Sequence, residues 1–172
     1  MIARAVGAAG ALLPFFLGLG LCFGLGGCGY SSGLRVSEEH SSIGVEFFGN
    51  GTYERDLERP FDDQMTRAIR DMSDAPIVAS SQADVIVRGT IRSYYHLGGI
   101  RSKENQLLET GVAIEIEATL VDRKSSKVIK GPFKAFSAIG YLTGDPLNEP
   151  VARDRALHHI AEELVLDLFA DA

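Results

Sequence analysis

The spacing of apolar and polar residues changes period several times along the chain. Ile43-Gly44-Val45-Glu46-Phe47-Phe48 alternates, with Ile43, Val45 and Phe47 on one side, which predicts a strand. Gly49-Asn50-Gly51-Thr52 closes it as a turn, and the match of Asn50 and Thr52 to a glycosylation acceptor is read as chance. Near Pro60 the period becomes helical: Phe61, Met65, Ile69 and Met72 share a face, Arg67, Arg70 and Asp71 lie off it, and Asp74-Ala75-Pro76 ends the run. Pro60 has no amide hydrogen to lose in a first turn, and Asp62 and Asp63 suit the positive end of the helix dipole. Residues 53–59 fit either an irregular turn or an early helical one.

Ile77-Val78-Ala79 predicts a short strand and residues 85–94 a long one, with Val85, Val87, Gly89 and Ile91 inward and Arg88, Thr90, Arg92 and Tyr94 outward. Residues 98–103 form a polar hairpin tip that carries Arg101 and Lys103. In residues 112–120, Ile114, Ile116 and Leu120 face inward while Glu115 and Glu117 face outward. A tip near Ser102 sets Arg88 opposite Glu117 and Thr90 opposite Glu115, a solvated ladder of charges. Residues 128–141 form the last strand, where Pro132 requires an edge or a bulge. A final helix from near Pro150 presents Leu157, Ala161, Leu164, Val165 and Leu168 on one face. This order defines an α+β fold, a two-layer sandwich: a small mixed or antiparallel sheet of about four strands with two helices packed on one face.

Ahead of this pattern lies Arg4 and then an apolar run over residues 5–23, ending in Leu25-Gly26-Gly27-Cys28. Leucine three before a cysteine, with small residues between, suits a lipoprotein signal peptidase, whose cleft admits only small side chains beside the scissile bond. Roughly 20 apolar residues also suffice to cross a bilayer. However, Gly7, Gly10, Pro14, Gly18 and Gly20 weaken a permanent helix, and Cys28 stands where cleavage falls. The chain therefore divides into a signal peptide over 1–27, a lipidated N-terminus and glycine- and serine-rich tether over 28–42, and one domain over 43–172. Cys22 follows Leu21 and leaves with the leader. Gly29 after the lipidated cysteine, where an aspartate would hold the protein at the inner membrane, points to the outer membrane and its periplasmic face.

The full chain carries a net charge of −6, and loss of Arg4 with the leader makes the mature chain one unit more acidic. That excludes the basic excess nucleic-acid binding needs. With Cys28 acylated the mature chain has no disulfide, and no cofactor is called for beyond that covalent lipid. The sequence holds no nucleophile elbow, phosphate loop, dinucleotide fingerprint or metalloprotease signature, so it reads as no enzyme. Adjacent His158 and His159 point about 100° apart on a helix, leaving His158 with Glu162 as a surface pair rather than a metal site.

Cys28-Gly29-Tyr30, the run from Val45 through Phe47-Phe48-Gly49-Asn50-Gly51-Thr52 to Tyr53, the run Ala83-Asp84-Val85-Ile86-Val87-Arg88-Gly89-Thr90-Ile91, and Ala156-Leu157 with Ala161-Glu162-Glu163-Leu164 together resemble the LPS-assembly lipoprotein family of the LptE type. The resemblance spans nearly the whole mature chain. It implies a small sheet with two helices and a non-enzymatic outer-membrane lipoprotein. Such a protein plugs the LptD-type β-barrel, helps it assemble and binds lipopolysaccharide. It further implies lipid A phosphate contacts from bases in the hairpin, where Arg101 and Lys103 lie, and in the loop before the last helix, where residues 144–149 hold no base. A rival reading is a CsgG-like lipoprotein or an activator of a penicillin-binding protein, which would bind a different protein partner.

Replacement of Cys28 by alanine is expected to leave the protein unlipidated, since no other residue can carry the thioether-linked lipid at a usable cleavage site. Mass analysis of the mature N-terminus checks this; acylation at Cys22, or an uncleaved leader in the wild type, would defeat it.

Overall fold

A computed structural model describes Leu34 and residues 40–170 of the chain. The leader, Cys28 and all of the tether except Leu34 and residues 40–42 lie outside the described residues. The elements run β1 (Ile43–Val45), β2 (Gly49–Asn50), α1 (Glu58–Met72), β3 (Val85–Arg101), β4 (Leu107–Asp122), β5 (Val128–Leu142) and α2 (Asn148–Phe169). The sheet order is β1-β3-β4-β5, with β2 also on β3. β1 and β2 run parallel to β3, while β3, β4 and β5 form an antiparallel meander. Parallel neighbours need a crossover, and α1 supplies it. The result is an open mixed sheet with two helices, the α+β fold that the period changes predict.

Both helices are amphipathic for the reason their sequences give. α1 buries Phe61, Met65, Ala68 and Ile69, and α2 buries Leu157, Ile160, Ala161, Leu164, Val165 and Leu168. They cover Val87 and Ile91 of β3, Ile114, Ile116 and Leu120 of β4, and Ala135 of β5 in one apolar cluster. Pro60 and Pro150 each fall third in their helix, within the first turn where amides lack a helical acceptor. Between the helices Gln64 Nε2 donates to Asp154 Oδ1 at 2.8 Å.

Four expectations are corrected. First, Phe47 is 62% exposed and Phe48 only 1%, the reverse of the alternation, because β1 stops at Val45 and the chain turns before β2. Gly89 is the cause: a Cβ there would collide with the Phe48 ring at Cε1, so the missing side chain opens the space Phe48 fills. That ring then meets Phe61 edge-on at 4.8 Å. Second, Gly49-Asn50 pairs with β3 as well as turning; the turn itself is made by Asn50 Oδ1, which accepts from the Thr52 amide at 2.9 Å. Third, residues 77–79 contribute one bridge, Ile43 to Ile77, rather than a strand. Fourth, β3 and β4 extend to Arg101 and Leu107, and the register breaks between Ile91 and Ser93. Thr90 therefore faces Glu117, Arg88 faces Thr119, and Tyr94 pairs with inward Ile114 and packs against the core instead of pointing out.

Pro132 lies in edge strand β5 at a break in register, where Phe133 pairs with Ala118 and Lys130 with Leu120. Gly131 there has φ +92°, a conformation that side chains avoid. At the far end of the sheet the Ser41 and Ser42 hydroxyls donate to Asp84 Oδ2 at 2.8 and 3.0 Å. Those hydrogen bonds, Ser41 first, hold the Asp84 carboxyl below its ordinary range and fasten the incoming chain at the start of β3.

Ile116→Asp and Leu164→Asp are each expected to abolish folding. Both positions are fully buried, and an unpaired buried carboxylate costs several kcal/mol, much of a stability of about 5–15 kcal/mol. Glu117→Gln should shift the melt little, since the partly exposed Arg92–Glu117 pair contributes about 0–1 kcal/mol. Thermal unfolding followed by circular dichroism checks all three.

Candidate functional site

The break at Arg92 decides what the hairpin can do. A bulge adds one residue to one strand and reverses the parity of the positions after it, here as far as the next break in register between Leu97 and Ile100. Beyond it, Tyr94 and His96 therefore turn toward the helix layer, their rings edge-on at 5.7 Å. Tyr141 near the end of β5 reaches the same place, and α2 begins there with Glu149 as its second residue. Glu149 Oε1 lies 2.8 Å from His96 Nε2 and accepts from Tyr94 OH at 3.4 Å, while Oε2 accepts from Tyr141 OH at 2.7 Å. One carboxylate thus joins β3, β5 and α2.

This geometry sets the electrostatics. The hydrogen bond with His96, then that from Tyr141, lowers the Glu149 pKa, and a helix N-terminus favours an anion. Desolvation and the Glu149 bond push Tyr141 up to about 12. Tyr94 is raised too, first by burial and then by the Glu149 charge.

Above this cluster lies a cleft of about 440 Å³ between the hairpin and the loop before α2, with His96, Leu97, Arg101, Thr110, Thr143 and Glu149 among its walls. Arg101, a base expected at the tip, stands on the cleft wall, and its Nη1 donates to Asn105 O at 3.0 Å. Lys103 is exposed at the tip and does not line the cleft. Ser102 Oγ organises the tip by accepting from the amides of Glu104 and Gln106, each at 3.2 Å. The hairpin and the loop before the last helix do meet, but the loop brings Asp145 and Glu149 rather than a base. Ile100, Leu142 and Leu147 stand 61–68% exposed around this end of the molecule, so the tip is less polar than its glycines and charges imply.

Tyr94, His96, Tyr141 and Glu149 escape a reading by period alone. The only local signal is the acid beside Pro150 at a helix start; their meeting depends on the bulge and on α2 returning over β5. The outward face carries the expected ladder with altered partners: Arg92 to Glu117 at 2.6 Å, Lys134 to Glu115 at 3.6 Å and Arg88 to Glu46 at 3.2 Å. His158 and Glu162 pair on the surface of α2 at 3.4 Å. Among the described residues no helix is long and apolar enough to cross a membrane.

These features define a class: a small α+β sandwich with two helices on one face and a hairpin reaching past them. The LptE family model, described as lipopolysaccharide-assembly, matches residues 41–172, and the chain belongs to that family. In fold it is similar to the PelC dodecamer protein of Paraburkholderia phytofirmans, at 12% identity and TM-score 0.53 over 81% of this chain and 96% of that one. It is also similar to the hypothetical protein CT253 of Chlamydia trachomatis, at 9% identity and TM-score 0.51 over 76% and 99%. At such identities the likeness is one of fold alone. No curated protein matches the chain in sequence.

Because its folded pKa lies below its unfolded one, Glu149 contributes stability at neutral pH that is lost as pH falls through the folded value. Melting temperatures of wild type and Glu149→Gln should therefore differ most near neutrality and converge in acid below the ordinary glutamate range. A constant difference across that window would show the cluster to be uncoupled from folding.

Proposed function

We propose that this lipopolysaccharide-assembly family member is an outer-membrane lipoprotein, held through lipid on Cys28, that acts without catalysis as plug and assembly partner of an LptD-type β-barrel and contacts lipopolysaccharide through its hairpin end. The family match over residues 41–172 carries the reading. Two features of the domain support it. The chain enters beside Asp84 at one end of β3, and the tip lies at the other end of that 17-residue strand, roughly 55 Å away at about 3.3 Å per residue. The tip is thereby kept far from the end at which the described domain begins. The tip also combines exposed Ile100, Leu107 and Leu108 with Arg101 and Lys103. That mixture suits an amphipathic ligand with acyl chains and phosphates: arginine binds a phosphate bidentately, and lysine supplies a point charge tolerant of geometry.

Arg101→Glu with Lys103→Glu is expected to weaken lipopolysaccharide binding by about tenfold and to leave the remainder less sensitive to salt, while the fold and barrel association persist. Binding to lipopolysaccharide at low salt, together with co-purification of the barrel from membranes, checks the two halves separately. Unchanged affinity would remove the tip from the site. Recovery of a self-assembled oligomer, such as the dodecamer of the PelC protein, with no barrel attached would replace the plug reading.

A further inference from the structure

The two halves of edge strand β5 differ. Among the described residues β5 pairs with β4 alone, so its other side is a row of backbone groups that no strand pairs, closed at its end by Asn148 Nδ2, which donates to Leu142 O at 2.8 Å. Residues 128–134 are blunted as natural edges are, by Lys130, Lys134 and the break at Gly131-Pro132. Residues 135–142, Ala135-Phe136-Ser137-Ala138-Ile139-Gly140-Tyr141-Leu142, hold neither charge nor proline, and their pairing with β4 is unbroken. Thr143 N–H donates to Leu108 O at 3.0 Å. By the alternation of an antiparallel ladder, the amides of Phe136, Ala138, Gly140 and Leu142 therefore point away from β4.

Beside this open half, Ile139, Tyr141 and Leu142 of β5 and Val151, Ala152 and Arg155 of α2 wall a groove of about 240 Å³. Leu142 and Val151 are exposed there. The Arg155 side chain is exposed and, among the described residues, makes no ion pair or hydrogen bond.

We propose that this edge and groove receive an extended protein segment, which adds to β5 as a further strand. The segment places apolar side chains at alternate positions in the groove and an acidic one against Arg155. An edge strand beside a helix is a recurrent peptide-binding arrangement in which main-chain hydrogen bonds give affinity and pockets for alternate side chains give specificity. Outward amides select a peptide over an acyl chain, which can answer none of them. Charge selects a foreign segment over a second copy of this chain, whose residues 135–142 offer no acid to Arg155. The proposal goes beyond the lipopolysaccharide reading, since none of its groove residues is Arg101 or Lys103.

The test uses the full lipidated chain in detergent and a fluorescein-labelled eight-residue peptide that alternates valine and threonine around one glutamate, read by fluorescence anisotropy. The peptide should bind. N-methylation of its amides in one alternate frame should weaken binding about tenfold or more, and in the other frame should leave it. Ala138→Pro, which removes an outward amide without touching a bond to β4, should also weaken it about tenfold. Arg155→Glu should lose the glutamate peptide and gain the version bearing lysine instead, an arm that stands even if the proline variant fails to fold. The proposal is overturned by an absence of binding at millimolar peptide, by equal binding of both methylated frames, or by no exchange of charge preference. A dimer of the full chain that Ala138→Pro dissolves would also overturn it, by making the edge an interface between copies.

Discussion

The bulge at Arg92 is the constraint on which the hairpin end of this molecule depends. Up to Ile91, β3 alternates in step with β4, and its odd-numbered residues lie under the helices. One extra residue at that point reverses the parity, so Tyr94 and His96 face the helix layer while Ser93 takes the outward position opposite Glu115. Without the bulge the phenol and imidazole would face solvent, and Glu149 would begin α2 with no partner on β3. The hairpin is long enough to project past the helices, and the Glu149 cluster ties the base of that projection to the rest of the fold.

A second constraint lies at the other side of the sheet. Gly89 leaves an opening in the inward row of β3, and Phe48 fills it from the connection between β1 and β2. Phe61 stacks edge-on against that ring, so the start of α1 is located by a contact that begins with an absent side chain on β3. The parallel arm of the sheet and the helix that crosses to it are thereby set against the same core that the meander and α2 complete.

Charge is distributed unevenly over this frame. The outward face pairs its arginines, lysine and glutamates with one another in partly exposed ion pairs, which adds little stability. The cleft wall opposite Arg101 is acidic, with Asp145 and Glu149 where the family resemblance leads one to expect bases. Anionic groups are thus favoured only at the hairpin side, and the loop side offers hydroxyls and two carboxylates. The open half of β5 lies beyond this cleft, across the first turns of α2, so one end of one helix borders both surfaces.

Much of the fold was legible in the residues alone, because it rests on periodicity. Apolar side chains every third or fourth position over 61–72 and 157–168, and every second position over 114–120, can bury themselves only as helices and a strand with those faces inward. Pro132 marked an edge or a bulge by lacking a donor. The reading failed wherever a single residue displaced the period. Phe47 and Phe48 exchange places because strand β1 ends early to answer the space above Gly89, and Tyr94 turns inward because Arg92 is bulged. Neither event has a local signature: a bulge is stabilised by the partner strand, and a filled opening by the residue that arrives from elsewhere in the chain. For the same reason Arg101 and Lys103 could be placed on a hairpin from sequence, whereas the meeting of Tyr94, His96, Tyr141 and Glu149 was decided by the tertiary structure. Residues 53 positions apart were brought within hydrogen-bonding distance by register and by the return of α2.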